Sequence, residues 1–211
     1  MEEFCMSYRY EKRGMSTGAI IAIIIVAVMF LSIFSVVGSC IGTYNNLVNK
    51  EEDVNLAWAN VQNMMQSRLE KIPDLVEVAK YAAEHEEKIF EDIANARAAL
   101  SSSIDAGDAQ AVDEADKELS KAINAMMLVI NENYPTISAS EQFVTLMDQI
   151  EGAANRIAVA RENYNTAVSN YNRVVRNFPG AILANMFGFD VKETFEADEA
   201  ASNSSMVDFD K

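Results

Sequence analysis

From Gly14 to Asn49 the chain carries no charged side chain. Within that stretch, Ala19 to Val37 reads AIIAIIIVAVMFLSIFSVV, broken only by Ser32 and Ser35. Counted from Gly18 to Cys40 the run is 23 residues, or roughly 34 Å as a helix, enough to cross a hydrocarbon core of about 30 Å. It is apolar on every side, which predicts a transmembrane helix over 18–42. Beyond it the pattern changes to an apolar stripe. Tyr44, Leu47, Val54, Trp58, Val61, Met65 and Leu69 recur at three- and four-residue steps and predict a helix over about 43–71, without a breaker after Gly42 to part it from the span. Pro73 either opens a second helix or kinks one long helix. Leu75, Ala79, Ala82, Ile89, Ile93, Ala96 and Leu100 continue the stripe to about residue 101.

Residues 101–108 read as a turn, with Asp108 as N-cap of a third helix through Val112, Ala115, Leu119, Ile123, Met126 and Val129. Tyr134-Pro135 breaks it. The fourth helix, about 138–177, has Phe143, Ile150, Ile157, Tyr164, Tyr171 and Phe178 seven apart. Met147, Ala154, Val168 and Val175 fill the second seam, with Arg161 as its charged exception. Pro179-Gly180 stops it, and 181–189 is a short apolar segment. These elements predict an all-α fold: an antiparallel four-helix bundle of the up-and-down type behind one N-terminal transmembrane helix. The expected organisation is a short cytoplasmic N-terminus (1–17), the span (18–42), the bundle (43–196) and a disordered acidic tail (197–211).

Charge sets the orientation. Arg9, Lys12 and Arg13 precede the span, and only Lys50 stands within about 20 residues after it. This predicts a single-pass protein of the cytoplasmic membrane, N-terminus inside and bundle outside. The alternative anchor is Val37-Gly38-Ser39-Cys40, which is similar to a bacterial lipobox and would make Cys40 a lipidation site.

Composition removes function classes. With 17 Lys+Arg against 32 Asp+Glu, a formal net charge of −15, the chain has no basic excess for phosphate contacts, so no nucleic-acid partner is expected. Two cysteines and one histidine cannot supply a disulfide framework, a four-thiolate zinc site or paired imidazole ligands. No small-molecule substrate is evident, and neither a catalytic, a cofactor-binding nor a metal site is expected. His85 and Glu86 are the one acid–base pair, which keeps an envelope enzyme open as an alternative. On the apolar stripe, Glu86 reads instead as part of a candidate buried polar layer with Arg97 or Arg161. Runs such as Glu51-Glu52-Asp53 point in different directions around a helix and form a solvated face.

A set of short motifs then bears on identity. YNNLV (44–48), IPDLV (72–76), KYAAEHE (80–86), ARAA (96–99), NENYP (131–135), ARENYN (160–165), SNYNRVVRNFPG (169–180) and FGF (187–189) stand in the order and spacing of LemA proteins. The chain resembles that family over about 42–196. It departs where the family has two adjacent arginines and a DLIPNLV run, replaced here by Ser67-Arg68 and Glu70-Lys71-Ile72-Pro73-Asp74. The resemblance implies a bacterial, membrane-anchored helical bundle with neither an established catalytic activity nor a cofactor. One branch of the family is associated with magnetosome membranes, and none of these motifs points to that branch. The expectation is a non-catalytic interaction or scaffold module whose partners are the membrane and either an envelope protein or a second copy.

Overall fold

The computed structural model describes residues 17–81, 83 and 85–196, with the side chain of Ala19 outside the description. The expected N-terminal segment and acidic tail therefore lie outside the described residues, apart from Thr17. The described chain is helical, with α1 Thr17–Lys80, α2 Glu87–Ala106, α3 Ala109–Asn133, the single turn α4 Pro135–Ser138, α5 Glu141–Arg176 and α6 Gly180–Phe187. It forms two units, 1–45 and 46–211. In the first, the side chains from Ile20 to Val37 are exposed, and this part of α1 is long and apolar enough to cross a membrane.

The second unit is a four-helix bundle built from the later part of α1 and from α2, α3 and α5. Gln62 of α1 donates to the Ile104 carbonyl, and Arg97 of α2 donates to the Leu69 carbonyl. Both pairs centre the reversal on residue 83, so α1 and α2 run antiparallel. Gly107 turns the chain again at φ 74°, a left-handed conformation that suits glycine. Asp108 then caps α3, accepting from Gln110 N and Ala111 N at 2.9 and 3.2 Å. Ser140 caps α5 through Phe143 N. The core is a stack of buried apolar side chains from Leu47 to Phe195, with Leu69, Leu119 and Tyr171 among the most enclosed.

Several boundaries differ from the periodicity. Residues 101–106, expected in a turn, belong to α2, which runs to its cap at Gly107, and α5 begins at Glu141, after the separate turn α4, rather than near 138. Pro73 neither opens a helix nor ends one, because α1 continues through it to Lys80. Proline lacks the N–H that would bond the carbonyl four residues earlier, which is Leu69. Arg97 Nε occupies that carbonyl at 3.1 Å, and the helix survives. The break falls at 81–86 instead, so Glu86 precedes α2 rather than lying on a helical stripe. In α5 the heptad positions Phe143 to Tyr171 are buried, whereas Phe178 is 83% exposed. The helix ends at Arg176 with Asn177 as its C-cap, which takes Phe178 off the seam.

Candidate functional site

Among the described residues, the buried charged side chains, Arg68, Asp113 and Asp116, lie at one level of the bundle. Arg68 of α1 is buried, although its neighbours Met65, Leu69 and Ile72 are apolar core residues. Its Nη1 lies 2.6 Å from Asp116 Oδ1 of α3, and its Nη2 donates to Ser120 at 3.1 Å. Arg161 of α5 reaches the other carboxylate oxygen of Asp116 at 2.9 Å and lies 2.7 Å from Asp113 Oδ1, off hydrogen-bond direction. Lys117 pairs with Asp113 Oδ2 at 2.9 Å. Asp116 thus bridges two guanidinium groups from different helices. A buried pair of this kind contributes little net stability, but removing one member leaves an uncompensated charge at a cost of about 3–5 kcal/mol. The layer borders a groove of about 820 Å³ that Arg173, Asn165 and Phe195 also line.

The residues expected to share a polar layer are distributed differently. Arg161 is in the layer, with Asp113, Asp116 and Arg68 as its companions. Arg97 serves the Leu69 carbonyl. Glu86, half-buried, accepts a 3.3 Å hydrogen bond from the Tyr134 hydroxyl, and His85 is exposed. Burial, followed by the Glu86 carboxylate, pushes the Tyr134 phenol up. Cys40 is a half-buried free thiol within α1. Asp116 was visible as a charge between Val112 and Leu119 on the α3 stripe, the one signal that could have identified the partner of Arg161.

A second feature has no periodic signature. After α6, residues 188–196 form a strap along α5. Asn172 accepts from Lys192 N and donates to the Lys192 carbonyl, at 2.9 and 2.8 Å. Asn165 does the same for Phe195, at 2.9 and 3.0 Å. Two asparagines seven residues apart therefore hold the strap by its backbone. Its side chains lock in beside them. Phe195 packs against both Trp58 and Tyr164, with ring centroids 5.9 and 5.3 Å away, and the Arg161 guanidinium lies 4.9 Å from its ring. Lys192 pairs with Glu51 at 3.2 Å and stands over the Tyr171 ring. Burial, with the Glu51 and Asp190 carboxylates, pushes the Tyr171 phenol up to about 12. Burial and Glu193 raise Tyr164.

On the other flank of α1 and α5 a groove of about 760 Å³ is floored by Ala57, Met64, Ala160 and Ala167 and rimmed by Leu56 and Val159. Among the described residues no three His, Cys, Asp or Glu side chains come together as ligands for an ion.

A charged layer inside a helical bundle, carried behind an exposed apolar helix, defines a membrane-associated all-helical protein. The LemA family pattern matches residues 57–209, and the chain belongs to the LemA family. Similar proteins include Magnetosome protein MamQ 2 and MamQ 1 of Paramagnetospirillum magneticum, each 27% identical over 207 residues, 87% of this chain and 75% of theirs. Magnetosome protein MamQ of Magnetospirillum gryphiswaldense is 24% identical over 195 residues, covering 82% of this chain and 71% of its own. The motifs alone did not point to these relatives.

Proposed function

We propose that the protein is a non-catalytic interaction module held at the bacterial cell envelope by its N-terminal span, with the N-terminus in the cytoplasm and the bundle outside it. The observation that carries this reading is the exposed apolar segment of α1, which continues into the bundle as one helix, Thr17–Lys80. Arg9, Lys12 and Arg13 before the span, against Lys50 after it, support the orientation. Anchoring confines the bundle to a surface and raises its effective concentration for partners there. The relatives' names place those proteins at the magnetosome, which fits work at a membrane surface.

Crosslinking in intact cells, followed by pull-down, tests the reading by comparing the full chain with a variant lacking residues 1–42. Capture of a defined envelope protein by the full chain alone is the expected result. Self-capture alone would make self-assembly the function, and capture of the same partner without residues 1–42 would remove the anchor's role. A second reading, favoured by Val37-Gly38-Ser39-Cys40, is the same bundle carried as a lipoprotein. An intact mass for the full chain from Met1 to Lys211, without acyl groups, would eliminate it.

A further inference from the structure

Helix α6, Gly180–Phe187, contains no charged residue. Leu183 and Ala184 are buried, and Gly180 is packed so closely on Val174 that a Cβ there would overlap the Val174 carbonyl. The opposite face carries Ile182 and Met186, 59% and 64% exposed, with Asn185 beside them turned back to donate to the Ala181 carbonyl at 3.0 Å. A surface helix ordinarily turns a polar face outward, and a contiguous apolar patch marks a surface that something covers.

The position of α6 identifies the cover. The last turns of α5 lie level with the first turns of α1 inside the bundle, since Lys192, clamped by Asn172, pairs with Glu51. The helix that follows α5 therefore sits at the end of the bundle where the chain enters, and Asn46 follows the predicted span by only four residues. Arg173 and Arg176, both exposed, stand in the last turn of α5 beside it. Glu51 and Asp190 stand at the same end, against Tyr171, so the arginines do not make it a basic surface; what suits this apolar face to acyl chains is its place at the end of the bundle that follows the span.

We infer that the Ile182–Met186 face of α6 is a second membrane contact, lying in the headgroup boundary of the bilayer that the N-terminal helix enters. The inference rests on the membrane-anchored reading. With the span already inserted, the short helix needs little affinity of its own, because its contact with the bilayer is intramolecular in effect.

The test uses the full chain in vesicles of phosphatidylcholine and phosphatidylglycerol, one set brominated near the headgroup end of the acyl chains, for positions 182, 186 and 128, and one brominated near their methyl ends, for position 30 at the middle of the predicted span. Trp58 is the single tryptophan, so Trp58→Phe provides a dark background into which Met186→Trp, Ile182→Trp, Phe30→Trp or Leu128→Trp is added. Only variants with the parent's helical circular dichroism are compared. At positions 186 and 182 most of the emission is lost and the remainder is blue-shifted, position 30 is quenched, and position 128 on α3 keeps its emission. Quenching at 30 with positions 182 and 186 behaving like 128 overturns the α6 contact and leaves the anchor standing. A blue shift at 186 without quenching overturns it in favour of a protein covering, a second copy included. No quenching at position 30 overturns the anchor, and the α6 contact with it.

Discussion

At the scale of single residues, the molecule depends on side chains that complete hydrogen bonds the backbone cannot. Arg97 is the sharpest case, because its Nε stands where the missing Pro73 N–H would have bonded the Leu69 carbonyl. Arg97→Met should destabilise the protein by about 1–3 kcal/mol, the cost of a part-buried acceptor left unmade. In a Pro73→Ala background the new N–H takes that carbonyl, so the same substitution should cost much less. Urea melts of the four proteins measure the coupling, and additive effects would show that the arginine acts independently of the proline. Tyr171 gives a pH signature. Its phenol is held up at about 12, against about 10 when unfolded. A raised folded-state value means full stability below pH 10, lost as pH climbs from 10 towards 12. The shift amounts to about 2–3 kcal/mol. Tyr171→Phe should lessen the decline in alkaline melts, leaving the part due to the other raised phenols, Tyr164 and Tyr134, at little cost at pH 7, since the hydroxyl is buried without a hydrogen-bond partner. Arg161 was legible as a charge in an apolar heptad. Its partners Asp113 and Asp116 were harder to read, because their role depends on which helices become neighbours.

Among the elements, legibility followed the source of the stabilisation. α3 and α5 were readable because the apolar stripe is local, and in α3 so is the cap at Asp108. The end of α1 was not, because the breaker at Pro73 is neutralised by a residue 24 positions later. The strap 188–196 was least readable. It has no period, and its two clamps are side-chain amides on another element that bind its backbone, a contact that leaves no mark in the strap's own residues. Phe195 is its one buried apolar anchor. Phe195→Ala should therefore uncover Trp58, whose ring lies 5.9 Å away, and red-shift the single tryptophan's emission. Hydrogen exchange at Lys192 and Phe195, whose N–H groups the asparagines hold, should accelerate in the same variant. A red shift without faster exchange would mean that the asparagines hold the strap by themselves.

For the whole molecule, the question is how a chain of net charge −15 keeps its bundle folded. The three acidic and three basic residues among positions 1–13 cancel, so the full excess lies beyond the predicted span, on the part that contains the bundle. Among the described residues every buried apolar side chain, from Leu47 to Phe195, belongs to that second unit, and this core takes no side chain from 17–42. The shortened protein should fold as a bundle, with a cooperative urea transition and the helical circular dichroism of its parent. Its surface pairs, such as Lys50–Asp53 and Lys121–Glu118, are exposed and individually worth about 0–1 kcal/mol. Repulsion among the surplus carboxylates acts over the entire surface and is screened within about 8–10 Å at ordinary ionic strength. Repulsion should therefore dominate, and added sodium chloride should raise the urea midpoint. A midpoint that falls with salt would mean that specific ion pairs, the layer around Asp116 foremost, outweigh the net charge. Comparing the salt slope of the shortened protein with that of its Asp116→Asn variant separates the two, because the layer loses its bridging carboxylate while the net charge moves by one, from −15 to −14.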